Sequence, residues 1–387
     1  MNICEIDNLY VEHTYNRFPL TIVSGSGSTV TDEAGRTYID FGSGIATNSF
    51  GVADPVWQQA ITEQIGKVQH TSNLYYSEPC AVLAQKLCER TGLKKVFFCN
   101  SGAEANEGAL KIARKYAADR GNTAPVIVTL KNSFHGRTIA TLTATGQDGY
   151  HQHFGPFPAG FVYAEANNVA DTLEKLAGEN VCAILMEAVQ GEGGINVLED
   201  DYVKAVADYC AENDKLLMFD EVQTGNGRCG TLYAYMHYGV KPDVVSTAKG
   251  LAGGLPFGAV LIGEKAEGVL VAGTHGSTFG GNPVCAAAAN SVVDRLTEEL
   301  FAEIRAKYAY FCETMSGAAG VAEITGRGFM LGVLPTEKSA ADVVRECREQ
   351  GLLVLTAKNK VRLLPALNIG WDEWKQGLEI LKGVLAK

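Results

Sequence analysis

The sequence predicts an α/β protein, with a mostly parallel central sheet covered by helices on both faces and a smaller α+β domain beside it. Three observations carry that prediction. Short, nearly unbroken apolar runs recur through the middle of the chain, and stretches of helical period separate them. Small or glycine-rich turns follow several of the runs. With 387 residues, 46% of them hydrophobic, there is chain enough to bury a large core and to divide into two units.

From Thr21 to Phe41 the pattern is strand, turn, strand. Gly25 and Gly27 punctuate it, and Asp32-Glu33-Ala34-Gly35 turns between Thr29-Val30 and Tyr38-Ile39. Residues 1–50 are therefore expected to be the N-terminal segment of the small domain. Sheet strands are expected at 95–99, 126–130, 182–186, 216–219, 244–247 and 259–262, with helices at 103–120 and 202–213 among those between them. Ligands of such sheets gather beyond the carboxyl ends of the strands, so residues 51–282 are expected to form the large, ligand-binding domain. After Pro283 an alanine-rich helix leads into helices at 305–314 and 339–350 and strands at 352–355 and 361–364. Residues 283–387 are expected to form the C-terminal small domain.

The net charge of -11 argues against nucleic acid or an anionic membrane as partner. Ten cysteines are scattered without a C-x-x-C pair, several in apolar stretches (Cys99, Cys182, Cys285), which suits a reducing compartment. The first fifteen residues carry Glu5, Asp7 and Glu12 and no apolar run, unlike a signal peptide. A cytoplasmic location follows as the expectation. His151 and His153 have no further ligand at metal-binding spacing, and no metal is expected.

The run Leu216-Leu217-Met218-Phe219 ends in Asp220-Glu221. Carboxylates at a strand end are solvated in a loop or, if buried, need a cation, because an unpaired buried charge is costly. A protonated pyridine nitrogen is one such cation, and an aspartate beside it keeps the ring an electron sink. Gln223 is then placed for a neighbouring ring hydroxyl. Val244–Thr247 leads through Ala248 to Lys249, followed by Gly250, Gly253 and Gly254. A lysine after a strand is ordinarily a surface lysine. Small flanks and glycines, however, let another molecule approach, and a lysine in tight apolar surroundings has its pKa lowered and can form a Schiff base with an aldehyde.

Phe98-Cys99-Asn100-Ser101-Gly102-Ala103-Glu104 passes from strand to helix. Unpaired N–H groups and the helix dipole there favour a phosphate, although Ser101-x-x-Glu104 equally fits a capping box. It is neither G-x-G-x-x-G nor a P-loop, so a nicotinamide dehydrogenase lacks its motif. In Ser133-Phe134-His135-Gly136-Arg137-Thr138, Phe134 suits stacking on a flat ring and Arg137 suits a bidentate carboxylate. Core aromatic and surface arginine are the plainer readings. Glu192 lies in Gln190-Gly191-Glu192-Gly193-Gly194, where a solvated loop glutamate is the default.

Taken together, these segments resemble the class-III pyridoxal-phosphate aminotransferases, and among them the acetylornithine aminotransferases. The likeness runs from about residue 15 to about 365. Its most specific parts are Phe219-Asp-Glu-Val-Gln-Thr-Gly225, Ala248-Lys249-Gly250 and Gly276-Ser-Thr-Phe-Gly-Gly-Asn-Pro283. The resemblance implies a fold-type I transferase that binds pyridoxal 5'-phosphate and works as a homodimer with its active sites at the subunit interface. It implies Lys249 as Schiff-base lysine and proton shuttle, Asp220 against the pyridine nitrogen and Gln223 at the ring hydroxyl, with Glu221 and Val222 in the same cofactor-binding run. Ser101, Gly102 and Ala103 would hold the phosphate, Phe134 would stack on the ring, and Thr278 would reach the phosphate of the neighbouring subunit. Tyr15, Arg137 and Ser277 would bind the amino donor. Arg362 would take the near carboxylate of glutamate, and Glu192 would pair with Arg362 when the terminal amine is bound.

Two departures from the family pattern, Ala188 in place of a proline and Val52-Ala53-Asp54 in place of a histidine-containing stretch, leave those roles untouched. Ile45 stands where ornithine δ-aminotransferases resemble one another in a tyrosine, which favours a donor with an acylated α-amine. The implied reaction passes the terminal amine of N-acetylornithine to 2-oxoglutarate, giving N-acetylglutamate semialdehyde and glutamate. Succinylornithine, succinyldiaminopimelate, ornithine and 4-aminobutyrate are rival donors, and a catalytically silent dimeric binding protein is the rival from another class.

Overall fold

A computed structural model of the protein describes residues 1–387. Its centre is a seven-stranded sheet in the order Lys95–Cys99, Gly258–Ile262, Val244–Thr247, Leu216–Asp220, Val181–Met186, Val126–Leu130, Phe161–Ala164. Gly258–Ile262 runs antiparallel to both its neighbours, and the remaining pairs are parallel. The expected class and its six strands are present. Every residue of Val181–Met186, Leu216–Asp220 and Gly258–Ile262 is buried, as strands covered on both faces require. The unexpected strand is Phe161–Ala164, a half-buried edge that emerges from a proline- and glycine-rich loop and is only four residues long.

Four predicted helices fall where expected, at Gly102–Ala118, Asp200–Glu212, Pro283–Val293 and Ala340–Glu349. A fifth, Glu298–Met315, starts well before residue 305: the Thr297 side chain accepts the Leu300 N–H, and Glu298 and Glu299 favour the first turn. Helices Pro55–Ile65, Glu78–Thr91 and Trp371–Leu385 were not expected. No helix is long and apolar enough to cross a membrane, and no cluster of three His, Cys, Asp or Glu is arranged to hold a metal.

The N-terminal strands Ile22–Ser26, Thr29–Asp32 and Thr37–Asp40 form an antiparallel meander. Asp32 Oδ1 closes its turn by accepting the N–H groups of Ala34 (3.0 Å) and Arg36 (2.9 Å). Leu352–Leu353 then joins that sheet in parallel with Thr37–Asp40. The single strand expected at 352–355 is thus divided. Past Val354 the chain enters a second sheet as Leu355–Ala357, antiparallel to Lys360–Leu363, which also pairs with Met330–Pro335. This change of sheet carries Arg362 back toward the carboxyl ends of the central strands.

The last helix locks the N-terminal segment to the C-terminal one. Trp374 is fully buried, with its ring 5.0 Å from Phe41 and 5.2 Å from Phe329. One turn on, a Cβ at Gly377 would lie 2.2 Å from the Phe41 ring. Gly377→Ala should therefore destabilise the protein by about 1–3 kcal/mol through overpacking, more than the roughly 1 kcal/mol of helix propensity it gains. Denaturant unfolding that showed no loss of stability would contradict this packing.

Candidate active site

The central strand Leu216–Asp220 delivers Asp220 to the sheet's carboxyl edge, 3% exposed. Three donors and a neighbouring hydroxyl surround its carboxyl. Asn106 Nδ2 donates to Oδ2 at 2.7 Å, and His135 Nδ1 lies 2.7 Å from the same oxygen. The Val222 N–H donates to Oδ1 at 3.0 Å, and the Ser246 hydroxyl stands 3.5 Å from it. Asn106 is itself fixed, donating to the His135 carbonyl (2.7 Å) and accepting from the Ser246 hydroxyl (2.6 Å). A carboxyl tied at both oxygens cannot swing away.

Asp220 lines a cavity of about 250 Å³ together with Gly102, Ala103, Phe134, Gln223 and Lys249. Val222 and Arg137 complete the expected residues on its wall. Lys249 follows the strand Val244–Thr247 in a backbone conformation unusual for a side-chain-bearing residue, φ 44°. That turn is braced from below: the Ser49 hydroxyl donates to the Gly250 carbonyl at 2.7 Å, where a Cβ on Gly250 would collide with it. Burial depresses the Lys249 ammonium below its ordinary value, against the opposing pull of Glu192 and Asp220. On the facing side, Ser101 caps the helix Gly102–Ala118 by accepting the Glu104 N–H at 3.1 Å. The N–H groups of the first turn stay available for an anion. The backbone there sits directly on the wall, since a Cβ at Gly102 would meet Val222 at 2.6 Å.

Behind Gln223 lies an ion pair. Arg362, 3% exposed, donates to Glu192 at 2.5 Å and to Gln223 Oε1 at 3.2 Å, and Gln223 Nε2 donates to Glu192 at 3.4 Å. Burial raises the Glu192 carboxyl, but Arg362 outweighs it and holds the group below its usual range.

Some expected residues stand elsewhere. Glu221 turns its carboxyl away from the cavity, accepting the Thr224 hydroxyl (2.6 Å) and the Tyr235 N–H (2.7 Å). Ser277 is occupied with Asn100 and the Gly280 N–H, and Thr278 is exposed, both outside this cavity. Tyr15 is 73% exposed and shares a separate, mainly apolar cavity of about 390 Å³ with Ile45. Arg137 lies over the Tyr150 ring at 4.1 Å, a contact the sequence gave no sign of.

Sequence reasoning gave no role to Asn106, His135, Ser246 or Glu187, all four buried around Asp220. One signal was available: Asn106 is one turn after Gly102, a polar side chain on an otherwise alanine-rich buried face.

A family model, aminotransferase class-III, matches residues 10–385. The chain belongs to the class-III aminotransferases. It is 49% identical to the acetylornithine aminotransferase of Haemophilus ducreyi, over 100% of this chain and 98% of that protein. It is 45% identical to a succinylornithine transaminase of Salmonella paratyphi A, over 93% of this chain and 91% of that one. Among solved structures, the ornithine aminotransferase from Toxoplasma gondii ME49 matches with a TM-score of 0.95 at 31% identity, covering 99% of this chain and 94% of that one.

A class-III aminotransferase is a pyridoxal-phosphate enzyme that takes small amino donors and keto acids, and the expected fold type and cofactor both follow. The residues present fit that cofactor: an amine, a fixed carboxylate, an aromatic side chain and a helix N-terminus border one cavity.

Glu221, fully buried, is pushed up to about 7 by burial, against the lowering effect of Thr224 and two N–H groups. The folded state thus binds this proton more tightly than the unfolded chain. Stability contributed by the protonated acid is present below about pH 4.5 and is lost as pH rises toward 7. Glu221→Gln, which stays neutral, should gain on the native protein by on the order of 3 kcal/mol across that window. Denaturation curves at pH 4.5 and pH 8 with an unchanged difference between the two proteins would refute it.

Proposed function

We propose that this chain is an acetylornithine aminotransferase, moving the terminal amine of N-acetylornithine to 2-oxoglutarate. The observation that carries the proposal is the Arg362–Glu192 pair beside the cavity. A terminal-amine donor brings an uncharged aliphatic segment close to the reacting carbon, and an unpaired buried guanidinium there is unfavourable. Glu192 neutralises it. Glutamate brings its own carboxylate and displaces Glu192, so one pocket takes both substrates. Ile45 supports an acylated donor over ornithine, because an isoleucine offers no hydrogen bond to a free α-amine. The 49% identity to an acetylornithine aminotransferase supports the same choice.

Bound at this site, pyridoxal phosphate supplies an aldehyde for the amine and a protonated ring that draws electrons from the substrate carbon. Lys249 would hold the cofactor and, once released, move a proton at Nζ, where its depressed basicity leaves a useful neutral fraction. Asp220 would keep the ring nitrogen protonated, and Phe134 would lie against the ring face. Gln223 would reach the ring hydroxyl, and Glu221 and Val222 would serve through the backbone of the same turn. Ser101, Gly102 and Ala103 would hold the phosphate. Arg137, with Tyr15 and Ser277, would hold the donor's far carboxylate.

The proposal includes a homodimer in which Thr278 reaches the partner's phosphate. Its support is an exposed apolar surface, including Leu74, Tyr76 and Phe279, on loops joined by Asn73 donating to the Ser277 and Gly280 carbonyls. It also assigns 51–282 to a cofactor-binding domain and 1–50 with 283–387 to a smaller one, supported by the pairing of Thr37–Asp40 with Leu352–Leu353. A cytoplasmic location suits such a biosynthetic enzyme.

Holoenzyme mixed with single amines, followed by loss of the visible cofactor band, tests the donor. N-acetylornithine should react fastest, with ornithine and 4-aminobutyrate slower by roughly tenfold or more. A faster reaction with ornithine would overturn the assignment. Lys249→Ala should lose both the lysine-bound absorbance and turnover; retained turnover would remove Lys249 from its role.

A further inference from the structure

We infer that Glu187 is a positioning residue that ties the aromatic wall of the cavity to the loop bearing Glu192, and thereby biases the site between its two substrates. The inference rests on the proposed Arg362–Glu192 switch and extends it to a residue outside that pair.

Glu187 directly follows the strand Val181–Met186 and is 5% exposed. Its carboxyl lines the same cavity as Asp220 and Lys249. Oε2 accepts the Phe134 N–H at 3.0 Å, and Oε1 accepts the Gly191 N–H at 3.4 Å. These donors come from the ends of two adjacent strands, because Phe134 follows Val126–Leu130, the partner of Val181–Met186. One carboxyl group therefore spans the gap between the ring wall and the glycine loop.

The loop has little room to shift. A Cβ at Gly191 would lie 2.5 Å from Gln223 Oε1, so the loop backbone rests on the Gln223 amide. That amide bonds both Glu192 and Arg362. A displacement of Gly191 is thus passed to the ion pair through Gln223 as well as through the chain. Burial and then the Asp220 carboxylate raise the Glu187 carboxyl well above the usual range, against the opposing pull of Lys249. Each oxygen of the carboxyl accepts one N–H, whereas the amide nitrogen of a glutamine accepts none.

Glu187→Gln leaves one acceptor for two donors. The shorter bond to Phe134 should keep it, and the Gly191 N–H should lose its partner. The decisive measurement is the two half-reactions of the holoenzyme, N-acetylornithine and glutamate each followed by cofactor absorbance. Both rates can fall, but the ratio of N-acetylornithine to glutamate efficiency should fall about tenfold, and amide exchange across residues 190–194 should quicken with or without cofactor. A residue with only a general structural role would lower both efficiencies by one factor, and an unchanged ratio overturns the inference. Glu192→Gln is run in parallel. If it shifts the ratio and Glu187→Gln does not, the inference alone fails; if neither shifts it, the switch fails and takes the inference with it. Should Glu187→Gln not accumulate as folded protein, Glu187→Asp, too short to span both donors, carries the same test.

Discussion

The site depends on holding a carboxyl group at the buried end of a central strand. Water stabilises such a group far better than a protein interior, and the deficit must be met by donors already in place. Around Asp220 they are supplied by three separate segments, Asn106 from a helix, His135 from a loop and the Val222 N–H from the following turn, while Ser246 from the next strand holds Asn106 in place. The parallel sheet is what allows this. It brings the carboxyl ends of its strands to one edge, so that residues 114 positions apart in the chain, such as Asn106 and Asp220, meet side by side.

Charge then organises the rest of the cavity. Three acids, Asp220, Glu187 and Glu192, surround Lys249 and Arg362. Their environments set them apart. Glu192 has a guanidinium at hydrogen-bond distance and is held ionised. Glu187 has two N–H groups, deep burial and a carboxylate neighbour, and is driven toward the neutral acid. Neighbouring carboxyls of one pocket are thereby pushed in opposite directions, Glu192 down and Glu187 up.

Much of this was legible in the chain. The strands that end in Asp220 and in Lys249 are apolar runs bounded by turn residues, and their type and order followed from period alone. Lys249, Asp220, Phe134 and Gly102 do converge on one cavity. What stayed hidden depends on three-dimensional neighbours. Asn106 looks like any polar residue in a helix until the sheet beneath it is known. The division of 352–355 between two sheets turns on Val354, which no local pattern distinguishes. Trp371–Leu385 was passed over although it is amphipathic, and its place becomes clear only when Trp374 meets Phe41 and Phe329.

The adjacent carboxyls Asp220 and Glu221 show how far position outweighs residue type. A strand sends successive side chains to opposite faces, so two acids one residue apart enter different surroundings. Asp220 faces the cavity and its ring of donors. Glu221 faces the Tyr235 segment, where a hydroxyl and backbone N–H groups only partly offset burial, and its carboxyl rises to about 7. A one-residue slip would exchange their faces, giving Glu221 the ring of donors and Asp220 the burial. The register of Leu216–Asp220 with both flanking strands therefore fixes more than packing: it decides which of two carboxyls faces the cavity and its donors.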